Sequence, residues 1–135
     1  MKYLVDVNVL SEPTKLVVSK RVESWLAANW SECVVNVVVM AEIGRGIDIM
    51  PDGKRKSALA IWFADLQAAI PCLDWTMETA LLWGPIVNHV KSSGFTIGMP
   101  DSMIAASAKQ HGLVVATRNV ADFTRCGVKA FNPFE

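Results

Sequence analysis

The chain lacks an excess of charge of either sign: 13 Lys and Arg balance 13 Asp and Glu, so the basic footprint of a protein that coats nucleic acid is missing. An enzyme that reaches phosphates through a divalent ion needs positive charge only locally, and this absence does not exclude one. Long apolar runs are missing too. No stretch approaches the ~18 residues of a membrane helix, because Asn36 and Glu42 interrupt the longest one, and Asp6 spoils the N-terminus as a signal-peptide core. A cytoplasmic protein with no membrane partner is therefore expected. Cys33, Cys72 and Cys126 are odd in number and contain no C-x-x-C pair, which supports neither a disulfide framework nor a thiolate zinc site and favours buried reduced thiols. His89 and His111 have no spaced partner, so a histidine general base finds no support. There is no internal repeat, low-complexity tract or linker, and 135 residues of 52% hydrophobic content suit a single domain, 1–135, with a core of its own.

Hydrophobic patterning reads as alternating strands and helices. Lys2 to Val5 forms a short strand entering a turn at Asp6 to Asn8, Cys33 to Val38 is a β-branched run suited to a buried parallel strand, and Leu113 to Ala116 is a third. Helical spacing recurs in Val22, Trp25 and Leu26, in Met40, Ile43 and Ile47, and in Leu59, Trp62, Phe63 and Leu66 after the Pro51-Asp52-Gly53 turn. Pro71 to Asp74 is a loop or very short strand. Thr76 caps a helix to about Ser92, with Pro85 as a break or kink and Gly94 as the stop; a last long helix covers Asp101 to His111, and Lys129 to Phe131 reads as an edge strand. The tryptophans, Trp25, Trp62 and Trp83 among them, share helical spacing with apolar residues and read as core or subunit interface. Lys54, Arg55 and Lys56 read as a solvated helix start. The alternation predicts an α/β sandwich with a largely parallel sheet, in which ligands bind beyond the carboxyl ends of the strands.

Four acids fall where that edge should be. Asp6 follows the first strand, Glu42 lies in the first turns of the helix after the second, Asp122 closes the segment after the third, and Asp101 starts a helix. Each also has a plain structural reading. Asp6 can close an Asx-turn, Asp101 can be a helix N-cap after Pro100, Asn119 and Asp122 have capping-box spacing, and Glu42 can be a helix-surface glutamate, although its apolar neighbours in VVVMAEI make that costly. If the four converge, repulsion governs: two unit charges about 6 Å apart at an effective dielectric near 20 cost roughly 3 kcal/mol. A Mg2+ or Mn2+ ion offsets it with carboxylate and water ligands and readies a water for in-line attack on a phosphodiester. Asn8 is a candidate for holding a carboxylate or a coordinated water. Thr117 and Arg118, with Asn119 beside them, are candidates for contact with a substrate phosphate, Arg118 having a salt bridge to Asp122 as its alternative. Ser11 and Glu12 are expected to extend the polar rim.

With LVDVNVLSE, AEIGRGI, PDSMIAASA, TRNVADF and a closing NPFE in this order, the sequence resembles, nearly end to end, the PIN-domain ribonuclease toxins of VapC type. The resemblance implies a PIN-like three-layer sandwich with a central, mostly parallel β-sheet flanked by helices. It also implies RNA hydrolysis at a quartet of acids, Asp6, Glu42, Asp101 and Asp122, that binds Mg2+ or Mn2+, with Asp6 and Asp101 the most direct ligands. The partners it implies are a VapB-type antitoxin and RNA, with a homodimer, a toxin–antitoxin hetero-oligomer, and operator DNA reached only through the antitoxin. The chain departs from the family pattern at Val7, where threonine is frequent, and at Asn36 and Val39, where serine and threonine are. Losing those hydroxyls is expected to thin the shell that orients metal ligands. Two other readings compete: an inactive PIN scaffold that binds antitoxin or RNA, and a haloacid-dehalogenase-like phosphatase, which would want an aspartate where Asn8 stands.

Overall fold

The computed structural model spans residues 1–135. Its strands are β1 (Tyr3–Val5), β2 (Cys33–Asn36), β3 (Cys72–Leu73), β4 (Val114–Ala116) and β5 (Ala130–Phe131). The helices are α1 (Val7–Leu10), α2 (Lys20–Asn29), α3 (Val37–Asp48), α4 (Lys54–Ala69), α5 (Met77–Ser92), α6 (Met99–His111) and α7 (Val120–Arg125). The strands join in one sheet ordered β3-β2-β1-β4-β5, and every pair is parallel. The α/β sandwich expected from the alternation is thus realised. No helix is long and apolar enough to cross a membrane.

Parallel sheets need helical crossovers on their faces, so their inner strands are apolar throughout rather than alternating. Leu4, Val5, Val34, Val35, Val115 and Ala116 are all buried, and Ile104, Ala105, Ala106, Ile86, Val90 and Phe123 of the helices close over them. Trp25, Trp62 and Trp83 pack partly buried against this core, the core reading given to them above. Thr76 caps α5 in a box with Thr79, and the Lys54 to Lys56 run is a solvated start to α4.

Several boundaries differ from the sequence expectation. The β-branched run stops being a strand at Asn36, whose side chain accepts the Val39 N–H at 3.0 Å and caps α3, so Val37 and Val38 turn helical despite their strand preference. The turn expected at Asp6 to Asn8 is instead the start of the one-turn helix α1. Helix α7 has only Phe123 buried and so offers no apolar period to detect. Helix α6 begins at Met99 with Gly98 as its N-cap, which removes the N-cap role considered for Asp101. Cys33 and Cys126 are buried free thiols, but Cys72 is exposed on the edge strand β3.

Asn36 is fully buried and also donates from Nδ2 to the Ser107 hydroxyl of α6 at 2.9 Å. It thereby does the capping work of the missing hydroxyl residue and ties α3 to α6. Asn36→Ala deletes a cap and strands the Ser107 oxygen and the Val39 N–H in the interior, an expected loss of about 2–4 kcal/mol. Urea unfolding checks this: the midpoint should fall with the slope unchanged.

Candidate active site

The site begins with the sheet. In register, Val5 of β1 faces Ala116 of β4, so the residues that follow, Asp6 and Thr117, emerge side by side. The chain leaves β1 toward β2 and β3 on one side and returns to β4 and β5 on the other. This makes their carboxyl ends a topological switch point, where open α/β sheets form their crevice. Asp6 is only 4% exposed. Its Oδ1 accepts the Val7 N–H at 2.8 Å, and its Oδ2 accepts the Thr117 hydroxyl at 2.7 Å and the Asn8 Nδ2 at 3.2 Å. The Thr117 oxygen in turn accepts the Asn119 N–H at 3.0 Å, and Asn8 Oδ1 accepts the Arg118 N–H at 3.1 Å. Asn8, Thr117, Arg118 and Asn119 therefore form one hydrogen-bonded collar around Asp6. Thr117 is fully buried and orients Asp6 instead of reaching substrate, a correction to the phosphate contact considered for it.

The other three acids arrive on helices. Glu42 sits in the second turn of α3, Asp101 is the third residue of α6, and Asp122 is the third of α7, each partly exposed. Burial pushes the Asp101 carboxyl up to about 6, helped by the charges of Asp6, Glu42 and Asp122 in that order. Glu42 is raised by burial and then by Asp6, with Arg45 opposing. Burial raises Asp6 as well, against the pull of Thr117, Val7 and Asn8. The charges of Asp6, Glu42 and Asp122 thus bear on Asp101, and that of Asp6 on Glu42, the like-charge pattern of a functional site.

The acids share a field without forming a closed cage, since no three Asp, Glu, His or Cys side chains stand in ligating geometry. Asp6 is fixed by its collar, whereas Glu42, Asp101 and Asp122 retain the exposure that lets side chains rotate. The donor set is all oxygen, which suits a hard divalent cation. Asp101 has neither a hydrogen-bond donor nor a cation beside it. On donor chemistry and uncompensated charge the residues fit such an ion.

Other expectations resolve differently. Asp122 is paired with Arg125 at 3.3 Å, one turn along α7, and not with Arg118; the i, i+3 spacing was the available signal. Asn119 precedes α7 but makes no side-chain cap, so the capping-box reading falls. Glu12 is not on a rim: it is 4% exposed, paired with Lys15 at 3.0 Å and accepting the Ser19 N–H at 3.1 Å. The Lys15 ammonium, foremost, holds its carboxyl below the usual range. Sequence reading missed Trp83, whose Nε1 donates to the Ser102 hydroxyl at 2.8 Å while that hydroxyl donates to the Met99 carbonyl at 2.7 Å. These bonds brace the turn carrying Asp101. It missed Phe134 under Arg118 as well.

Comparison with known proteins adds a family. A family model described as PIN domain matches residues 3–128. Toxin FitB of Neisseria gonorrhoeae is 34% identical over 97% of both chains, and VapC ribonuclease Y4jK of Sinorhizobium fredii is 30% identical over 98% of this chain and 97% of its own. Among solved structures, FitAcB from Neisseria gonorrhoeae superposes with a TM-score of 0.89 at 31% identity over 98% of this chain and 99% of that one. FitAB bound to a DNA fragment does so with a TM-score of 0.93 at 30% identity, over 98% and 96%.

Proposed function

Because the chain belongs to the PIN-domain family, with VapC-type toxins among its relatives, we propose that it is the endoribonuclease toxin of a toxin–antitoxin pair. It hydrolyses RNA phosphodiester bonds with the help of Mg2+ or Mn2+. The observation that carries the reading is the collared carboxylate of Asp6 at the switch point, together with the charges of Asp6, Glu42 and Asp122 on Asp101.

In this reading Asp6 is the fixed ligand. Its hydrogen bonds from Thr117, Asn8 and the Val7 N–H favour the ionised form against burial, and they hold both oxygens in one orientation. Asp101, Glu42 and Asp122 supply the remaining carboxylate oxygens, turning inward from the helices that carry them. When bound, the cation neutralises the cluster and the phosphate charge and makes water a competent nucleophile. Arg118 stands at the rim beside Asn8, where its guanidinium can meet a phosphate of the bound RNA.

The toxin acts in the cytoplasm, where a VapB-type antitoxin restrains it in hetero-oligomers and brings it to operator DNA. The structures of FitAB and of VapBC from Salmonella typhimurium, each bound to DNA, support such an assembly for those proteins. A homodimer of the toxin completes the proposal. The second reading, a PIN scaffold that binds without cutting, draws on the three partly exposed acids standing open around Asp6 instead of closed upon one point.

One experiment separates the two. The ends of cellular RNA exposed to the purified protein with Mg2+ are sequenced beside an Asp6→Asn control. Discrete cuts by the wild type alone are expected; equal cutting by the variant would sink the catalytic assignment. RNA bound yet left whole by the wild type would select the scaffold.

A further inference from the structure

The closing Asn132-Pro133-Phe134-Glu135 segment lies outside the acids, yet it touches the site at one point. Asn132 Oδ1 accepts the Phe134 N–H at 2.9 Å, and the Glu135 N–H donates to the Asn132 carbonyl at 3.3 Å, so the tail folds into a tight turn. That turn sets the Phe134 ring, itself partly buried against the core, beneath Arg118, whose guanidinium carbon lies 3.8 Å from the ring centroid. The Arg118 side chain makes no ion pair and no hydrogen bond; only its backbone N–H is engaged, on Asn8. Its charge reaches the buried Glu12.

Stacking of this kind uses the face of the guanidinium and leaves its five N–H donors free in the plane. A long arginine free to sample many rotamers loses entropy each time it grips a phosphate, and a ring beneath it has paid that loss in advance. The cleft beside it is lined by Arg118, Ala121, Phe131, Asn132 and Glu135, with Arg118 its only cation. Arg118 therefore brings positive charge to a cleft whose other ionisable lining residue, Glu135, is an acid.

We infer that Phe134 is a positioning residue, its ring holding the Arg118 guanidinium at the rim of the Asp6 collar so that the in-plane N–H groups grip an RNA phosphate next to the one being cut. This rests on the ribonuclease reading and adds the tail turn to its substrate-binding surface. Phe134 itself touches no reacting atom; it acts through Arg118.

The test uses the full chain and two measurements. Nitrogen-resolved NMR of the arginine side chains reads the stack without RNA: the Arg118 Nε–H resonance is expected upfield in the wild type and in Phe134→Tyr, and at an ordinary position in Phe134→Leu. Equilibrium binding of a fluorescent single-stranded RNA in EDTA, across a salt series, reads the consequence. Phe134→Leu should weaken binding about two- to fivefold, Phe134→Tyr should restore it, and Arg118→Ala should weaken it further and lower the salt slope by roughly one. In the Arg118→Ala background Phe134→Leu should add nothing. An unshifted wild-type resonance, or an equal penalty for Phe134→Leu with and without Arg118, overturns the inference while leaving the ribonuclease reading standing. A shifted resonance in a protein that neither binds nor cuts RNA overturns both.

Discussion

Asp101→Asn is expected to slow RNA cleavage by about a thousandfold or more, roughly 4 kcal/mol of lost transition-state stabilisation, while leaving the metal-free fold at least as stable. The two halves of that result come from one cause. Asp101 occupies the first turn of α6 without capping it, so the helix does not need its charge, and Asp6, Glu42 and Asp122 all press against that charge. Folded, its carboxyl lies at about 6 against an ordinary 3.8. Well below pH 3.8 the group is neutral in both states; as pH rises toward 6 the unfolded chain releases its proton first, and the fold loses stability. The shift taken whole would be worth about 3 kcal/mol, but the group is partly exposed, and solvent screening leaves on the order of 1 kcal/mol. Thermal melts in EDTA at pH 4 and pH 7 check the sign: the wild type should lose more of its melting temperature between them than the variant does. A variant much less stable than the wild type at pH 4 would make Asp101 a structural residue.

The second large effect concerns the divalent ion. EDTA in excess should abolish cleavage, and Mg2+ or Mn2+ should restore it. In the absence of RNA, either ion should raise the melting temperature of the wild type and scarcely that of Asp6→Asn, because a ligand at a hundred times its dissociation constant stabilises the state that binds it by about 2.7 kcal/mol. Full-rate cleavage in chelator would reject the metal mechanism outright. A melting temperature insensitive to both ions, in a protein that still cuts, would place the ion on the substrate and not on the acids.

The ordering of the chain is readable because parallel-sheet physics leaves a strong trace: YLV, CVV and LVVA are unbroken apolar runs, followed at the same edge by Asp6, Asn36 and Thr117. That rule places Asp6, Glu42 and Asp122, whereas Asp101, at a helix start with no strand before it, is only free to join them. What the rule could not supply was the partner of each polar atom. Nothing local to Thr117 distinguishes a hydroxyl that meets phosphate from one buried on Asp6, because the deciding contact comes from the other end of the chain. Nor could spacing separate Arg118 from Arg125 as the mate of Asp122 before α7 was known to be a helix. Asn36 is the reverse case. The sequence there shows only the loss of a hydroxyl, yet a carboxamide caps a helix as well as serine does and adds a second arm, which reaches Ser107.

The bond between Asp6 and Thr117 joins residues 111 positions apart. A chain still emerging from the ribosome exposes Asp6 long before Thr117 is made, so β1 has no β4 beside it throughout that interval. Contacts between the chain's two ends form late. A nascent chain that has not yet reached Thr117 is therefore expected to lack the oriented Asp6 carboxylate, and with it any chemistry that depends on that group.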